Sequence, residues 1–538
     1  MITWLDATRN PKRLWWDLTH SQQPVLWFLA IITGTISAYF ALGFWWAVTA
    51  LQSLTFGATE EALASEVTHL PWWRVIAVPT LGGLIVGLML TFLMPGKRIH
   101  GVSDAIEARL LHRTKLRRVA GFWSALINTI GLGFGLSMGR EGPVVHAGAT
   151  LSHLVARKLK LKPMGRRVLV GCGVAAAISA SFSAPIAGVL FALEVVLGHY
   201  ALSAFAPIVI ASAAGTVVAR AHSGAILVFE FPDFAIRSLW EMPAFGLLGL
   251  VSAVVAMAFM KSLFLVEDVM KGTSLTIWMR TTLAGLLVGL IATQVPQILG
   301  VGYETTRLVI ADAPGFWILV LLAVTKVTAT ALTLGSGAGT GVFSPALFLG
   351  IMTGAAFGEV AGGVFPDLAA PVGLYALVGM GAVSAAVLGA PISTALICFE
   401  LTGNYQVAIF TMVAASMASV VTQYFMGGGI FHQQLERRGI PMHEGPARVV
   451  LDGITVGHLA KDAPELPPGI TLKDDAVRLP EHTSLHDTLT LMEAQDLEAI
   501  WVVEGDHDTA QAIGIVRRSD VYKTLSRALL DIHAEEHH

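Results

Sequence analysis

Gly139-Arg140-Glu141-Gly142-Pro143 and Gly341-Val342-Phe343-Ser344-Pro345 occupy matching places in the two hydrophobic halves of this chain, and their correspondence decides how the rest is read. Gly133, Gly135, Gly139, Pro143 and Gly148 recur at one constant spacing as Gly335, Gly337, Gly341, Pro345 and Gly350. Further along, Ala184-Pro185-Ile186 with Leu190 and Glu194 recurs at a slightly longer spacing as Ala390-Pro391-Ile392 with Leu396 and Glu400. A Leu-Val-Gly-x-Gly string also occurs twice, from Leu169 to Gly173 and from Leu377 to Gly381. Chance apolar similarity does not keep glycines, prolines and glutamates in register, so the chain carries an internal duplication.

Composition places the duplication in a bilayer. The 538 residues are 54% hydrophobic and only 14% charged, with a mean hydropathy of +0.66, far from an average soluble domain. Charge-free tracts run over 18–59, 75–96, 119–139, 168–193, 327–358, 368–399 and 406–435. Several exceed the roughly 20 residues of one spanning helix, so the longest hold more than one. The 54 glycines and 23 prolines recur inside them. In lipid such breaks are tolerated only where protein or a water-filled cavity satisfies the freed backbone, which predicts broken helices meeting in the interior. Trp15, Trp16, Trp27, Trp45, Trp46, Trp72 and Trp73 lie near tract ends, as an interfacial aromatic belt does.

Basic residues set the expected orientation. Arg9, Lys12 and Arg13 precede the first tract, and Arg113, Lys115, Arg117 and Arg118 cluster later, as do Arg157, Lys158, Lys160, Lys162, Arg166 and Arg167. The positive-inside rule puts these segments and the N-terminus in the cytoplasm of a multi-pass protein of the cell (inner) membrane. The charged, Trp-rich start has no secretory-signal pattern, so the first tract is expected to act as an anchor. Cys172 and Cys398 lie in apolar segments and are read as small packing residues, not as a disulfide or metal pair. A net charge of −3 without a dense basic face argues against a nucleic-acid partner.

The chemistry lies in the glycine-rich junctions. Each ends in a proline where an apolar segment resumes, the pattern of a helix N-terminus with proline in its first turn. The unpaired amides and positive dipole end of such a helix favour an anion. Two of them converging from two repeats would make an anion site without a basic side chain, as broken helices do in many transporters. Glycine-mediated helix packing is the competing reading of any one junction, but it does not account for a duplicated pair with an embedded glutamate.

Those two junctions resemble the signature motifs of the CLC family of chloride channels and chloride/proton antiporters. The resemblance extends from the first tract to the Phe431 region and includes Ser183-Ala184-Pro185-Ile186-Ala187-Gly188 with Glu194, and Glu400-Leu401-Thr402-Gly403-Asn404-Tyr405. It implies an all-α polytopic membrane protein of two inverted repeats of tilted, partly broken helices, assembled as a homodimer with one pore per subunit. It also implies that Glu141 is the gate, entering the anion's own site when ionised and leaving when protonated. Gly139, Arg140, Gly142, Val342 and Phe343 would line the anion site, chiefly through amides near Gly142 and those of Val342 and Phe343. For Arg140, orienting the gate competes with a purely structural salt bridge.

Three departures from the family pattern bear on mechanism. The family's anion-contacting serine maps to His100 and its proline to Ser103, within Ile99-His100-Gly101-Val102-Ser103-Asp104. His100 in the pore would donate through a ring N–H and titrate near neutral pH; at a membrane-edge turn it would do neither. The family's anion-contacting tyrosine maps to Phe431, which has no hydroxyl, so coordination would fall mostly to backbone amides. The inner proton-transfer glutamate of many exchangers maps to Val195, which cannot relay a proton. Glu194 and Glu400 are read as structural, capping or pairing inside the protein, and Lys326 either sets a positive potential or snorkels. His146 is read as an ordinary helix residue, and Phe343 as an apolar constriction.

Past Pro441 the composition turns soluble, with Pro446, Pro464, Pro467, Pro468 and Pro480 punctuating an acidic tail. A helix-like 484–492, a strand-like 499–503 and Ala512-Ile513-Gly514-Ile515-Val516-Arg517-Arg518-Ser519-Asp520-Val521 resemble a small α/β CBS domain. Asp520 fits that module's nucleotide-contact pattern, but the hydroxyl position is Arg517, so an adenine nucleotide is a weak expectation beside a dimer-stabilising cytoplasmic role. Residues His533, His537 and His538 are too few for a metal site. The expected division is a cytoplasmic segment 1–22, membrane repeats 23–225 and 240–437, and a CBS-like domain 445–538.

An enzyme is not expected, since Ser137 and His146 flank Glu141 without a third catalytic partner. The expected function is transport of chloride or a similar small anion with no cofactor and no metal. Channel-like conduction is favoured on Val195; proton-coupled chloride/H⁺ antiport, with protons and membrane lipid as further partners, is the alternative. Intact Arg140 argues against a fluoride-specific exchanger.

Overall fold

The computed structural model describes residues 23–110, 116, 118–161, 163–223, 241–440, 455–461, 477–503 and 512–526. The 1–22 segment, most of the basic cluster at 113–117, Pro441 through 454 and the terminal histidines lie outside them. The described residues fall into two compact units. One runs to Ile106 and from Leu116 to Gln434, and the other takes the stretch from Glu107 and everything from Leu435.

The first unit is helical throughout. Eight of its described helices are long and apolar enough to cross a bilayer, among them Gln23–Phe56, Trp72–Phe92, Phe316–Gly335 and Phe343–Val364. Others are too short to span, such as Pro185–Phe191 and Pro391–Thr402. Leu54, Phe92, Val217, Trp317 and Phe425 are exposed on helix surfaces, as a protein solvated by lipid requires. Helices of such unequal length fit the partly broken architecture expected from the glycine and proline content.

The duplication is visible as repeated contacts. In the first repeat the Glu141–Lys158 helix packs on Pro163–Phe182 so tightly that a Cβ on Gly148 would come within 2.4 Å of the Gly173 carbonyl. In the second, Phe343–Val364 packs on Val372–Leu388 with Gly350 against Gly379, where a Cβ would come within 2.5 Å. The structure thus equates Gly173 with Gly379 rather than with Gly381, two residues out of register with the Leu-Val-Gly string. Close backbone contact between glycines across the helix pair sets that register, and the string is only local likeness. The same register aligns Ser183 with Gly389, and both turn left-handed, at φ 54 and 70, before the Ala-Pro that starts the next helix.

A second pair of contacts ties the repeats together. Glu400 accepts from the amides of Ile186 (2.9 Å) and Ala187 (2.7 Å) at the start of the Pro185–Phe191 helix. Glu194 accepts from the amides of Ile392 (3.1 Å) and Ser393 (2.8 Å) at the start of Pro391–Thr402. Each repeat's glutamate caps the other's helix, the relation that a two-fold axis between inverted halves produces. Glu194 lies in a π turn, Ala192–Leu197, that continues the Pro185–Phe191 helix, and half-buried Val195 follows it there. Glu400→Ala removes the acceptor for two amides. It should destabilise the purified protein by about 2 kcal/mol, read as a lowered thermal unfolding midpoint, while Glu400→Gln keeps a carbonyl acceptor and should lose less.

The second unit contains a three-stranded sheet ordered β1 (Arg478–Pro480), β2 (Ala499–Val503) and β3 (Ala512–Arg517). The first pair is parallel and the second antiparallel. The Leu485–Ala494 helix, capped by the Ser484 hydroxyl, crosses between β1 and β2. Val456, Leu485, Met492, Ile500, Val502, Val516 and Val521 form its core. The β-α-β-β-α order agrees with the sequence reading, and the short, continuous apolar run Ala499-Ile500-Trp501-Val502-Val503 is what made it legible.

Candidate functional site

The two junctions cross at their glycines. The Gly139 amide donates to the Gly341 carbonyl at 2.7 Å, and a Cβ on Gly341 would lie 1.8 Å from the Gly139 oxygen. No side chain fits at that crossing. Gly142 is nearly as close, with its would-be Cβ 3.3 Å from the Gly341 Cα. Immediately beyond, the Glu141–Lys158 and Phe343–Val364 helices begin, each with proline as its third residue. Their first-turn amides have no intrahelical acceptor and are brought together from two repeats, a setting that favours negative charge.

A carboxyl group occupies it. The Glu141 side chain, 1% exposed, reaches from the first repeat to the start of the second repeat's helix. Its Oε1 accepts from the Ser344 hydroxyl at 2.5 Å and the Tyr303 hydroxyl at 3.1 Å, and its Oε2 from the Ser344 amide at 3.3 Å. The carboxylate oxygens therefore stand where an anion would be held by a helix N-terminus.

Arg140, the residue before the helix, turns mainly away from its neighbour. Its Nη1 donates to Glu60 at 3.2 Å and its Nη2 to the Ser181 carbonyl at 3.3 Å. The guanidinium lies 4.9 Å from the centre of the Tyr303 ring, a cation–π distance. Only Nε faces Glu141, 4.0 Å from its Oε1, and it is buried without a hydrogen-bond partner.

Tyr303 is held by its surroundings. Gly302, at φ 91, turns the chain into the Tyr303–Ala311 helix. The following Glu304 accepts from the amides of Ala64 (2.7 Å) and Ser65 (3.2 Å) and from the Ser65 hydroxyl, fastening this helix to the segment that carries Glu60. Lys326, 1% exposed, donates to the carbonyls of Ile298 (3.0 Å) and Gly300 (2.9 Å) and lies 5.2 Å from the Phe348 ring centre. Burial of Lys326 removes the snorkelling reading; its Nζ pins the turn leading to Tyr303.

Val342 precedes the second helix, and the Phe343 ring packs between Phe182 (5.1 Å) and Phe191 (6.1 Å), an aromatic cluster drawn from both repeats. His100 follows a different course. Its Nδ1 is 3.1 Å from Asp104, which Arg98 also pairs at 2.7 Å, and its ring is 5.4 Å from that of His146. His146, buried, leaves its Nδ1 without a partner. The adjoining Gly101 abuts Thr340, whose carbonyl lies against Gly142, so the His100 segment borders the junctions without reaching Glu141. Phe431 is buried in the Ile430–Glu436 helix, just past Gly429, which lies against Leu388 and Gly389. Ser137 meets Thr330 at 3.1 Å rather than a histidine.

Tyr303, Glu60 and the hydroxyl of Ser344 are contacts that sequence reasoning missed. Neither the Ser344 side chain nor Glu60 was singled out from the sequence. Gly300-Val301-Gly302-Tyr303-Glu304 carried a usable signal, since closely spaced glycines before polar residues mark a tight turn into a helix.

Comparison with known proteins agrees with this geometry. The family model described as "Voltage gated chloride channel" matches residues 82–423. A ClcB-like chloride channel protein of Ralstonia nicotianae is 32% identical over 415 residues, covering 76% of this chain and 96% of that one. The H(+)/Cl(-) exchange transporter ClcA of Vibrio cholerae is 32% identical over 314 residues, covering 57% of this chain and 67% of that one. The crystal structure of a slow cyanobacterial Cl-/H+ antiporter superposes with a TM-score of 0.68 at 23% identity, over 78% of this chain and 99% of that one, a likeness of fold. By its matching family model, its relatives and the crossing of its two glycine junctions, this chain belongs to the voltage-gated chloride channel (CLC) family.

Proposed function

We propose that this protein carries chloride, or a similar small anion, across a membrane, with Glu141 as the gate. The observation that carries the reading is the Glu141 carboxylate itself, buried and held by three donors at the start of the opposite repeat's helix. An ionised Glu141 occupies the anion's place. Protonation removes the charge that holds it there and releases the place to an anion. Gly139, Arg140, Gly142, Val342 and Phe343 surround it, and His100 and Phe431 belong to the remainder of the pathway.

The gate serves either of two couplings. Val195 favours channel-like conduction, because no carboxylate follows Glu194. The Vibrio cholerae relative is named an exchange transporter, which supports proton-coupled antiport at least as well. Purified protein in liposomes distinguishes them: a chloride gradient is imposed, voltage is clamped with a potassium ionophore, and external pH is recorded. Protons driven uphill by chloride mean exchange; chloride flux without proton movement means a channel. Val195→Glu should change proton movement several-fold more than chloride affinity, and equal effects on both would overturn the reading of that position.

The same reading takes the protein as a homodimer in the inner membrane with cytoplasmic termini. Its C-terminal unit acts as a CBS-like, dimer-stabilising module, and Arg517 in place of a hydroxyl disfavours an adenine nucleotide there.

A further inference from the structure

The geometry points to Tyr303 and Ser344 as side-chain anion ligands: when Glu141 withdraws, their hydroxyls, with the Ser344 amide and Arg140 Nε, coordinate the transported anion. This rests on the proposed gating role of Glu141 and deepens it.

Three donors converge on the two oxygens of one carboxylate, Ser344 Oγ at 2.5 Å, Tyr303 Oη at 3.1 Å and Ser344 N at 3.3 Å. Ser344 and Glu141 are each 1% exposed, while Tyr303 is half-buried and its hydroxyl also lies 3.4 Å from that of Ser344. Withdrawal of the carboxylate leaves them facing a space of carboxylate size. A buried donor without an acceptor is unfavourable, and an anion satisfies all of them at once. Arg140 Nε adds an independent sign, because it is already unpartnered, buried and turned toward the same oxygen at 4.0 Å.

The donors suit a small anion for physical reasons. Hydroxyl hydrogens rotate to meet a spherical acceptor, whereas a backbone amide is fixed. Tyr303 is positioned before the anion arrives, with its ring under the Arg140 guanidinium and the adjoining Glu304 fastened to Ala64 and Ser65. Preorganised donors lose little entropy on binding. The hydroxyl that Phe431 lacks is thus supplied at a different place in the pathway, and anion coordination does not fall to amides alone.

Tyr303 could instead serve only as a latch on Glu141, and the test removes the gate to separate the two roles. Chloride binding to the purified full-length protein is measured by calorimetry for Glu141→Ala, for Glu141→Ala with Tyr303→Phe, and for Glu141→Ala with Ser344→Ala. Phenylalanine keeps the ring under Arg140, and thermal unfolding of each variant checks the fold. If the hydroxyls are ligands, each double variant binds chloride about 10-fold or more weakly than Glu141→Ala, as expected for one lost hydrogen bond to a charged partner. Equal chloride affinity in Glu141→Ala and in its Tyr303→Phe double overturns the proposal for Tyr303 and leaves the gate intact. Absence of chloride binding and flux in Glu141→Ala itself overturns the gate, and the ligand assignment with it.

Discussion

Glu141→Ala is expected to leave anion flux permanently open and to abolish any chloride-driven proton movement that the wild type shows. The substitution removes the only carboxylate held at the crossing of the two junctions among the described residues, and with it the charge competing with the anion. The three donors it leaves would each cost about 1–3 kcal/mol if unpaired in a buried site, so an anion is drawn into the vacated place. With the Glu141 carboxylate gone, flux should lose the part of its pH dependence that this carboxylate sets. Liposome flux across pH 5 to 8, in steps of about one unit, checks this around the usual carboxylate and histidine range. Unchanged gating and unchanged coupling in this variant would rule out Glu141 as the gate. A pH dependence that survives Glu141→Ala but disappears with His100→Phe would place His100 in the conduction pathway as a second titrating group.

The other large effect is expected from a single methyl group. Gly341→Ala puts a Cβ 1.8 Å from the Gly139 carbonyl oxygen, where the neighbour is backbone and cannot rotate away. The junctions must separate by about 1 Å, and the 2.7 Å hydrogen bond from Gly139 to Gly341 is stretched or broken. Overpacking of this kind costs about 1–3 kcal/mol, so the protein should fold with a lowered thermal midpoint. Transport should suffer more, since a misplacement of about 1 Å between reacting or binding groups costs on the order of 100-fold. Gly148→Ala, 2.4 Å from a carbonyl but away from the crossing, serves as the control. Its loss should appear mainly in stability, and equal losses of transport in both variants would show that glycine packing in general, rather than the crossing, limits the rate.

The membrane class and the duplication were legible because they rest on composition and on glycines and prolines, whose positions report backbone geometry directly. The site was legible in its backbone for the same reason: Gly139 and Gly341 are glycine because two chains touch there. Glu194 and Glu400 were read from sequence as structural, capping or pairing, and each does cap a helix. That each caps the other's repeat was not legible, because sequence carries no information on which partner a cap serves. Side-chain convergence was the weakest part. Tyr303 lies far along the chain from Glu141, joined to it only by folding, and nothing in a hydrophobic period marks a hydroxyl that will point at a carboxylate. His100, which the resemblance aligns with a ligand position, has its ring engaged by Asp104 and beside that of His146, neighbours that its place in the sequence did not announce.

The reciprocal caps at Glu194 and Glu400 also govern what can move. Two-repeat carriers commonly work by rocking one half against the other, a collective motion of microseconds to milliseconds. Here such rocking would tear four amide–carboxylate bonds and the Gly139–Gly341 bond in the same stroke. The halves are therefore bolted into one frame, and the moving part is reduced to a side chain of a few atoms. On the proposed gating role, turnover then depends on anion entry and on the state of Glu141 rather than on movement of the scaffold.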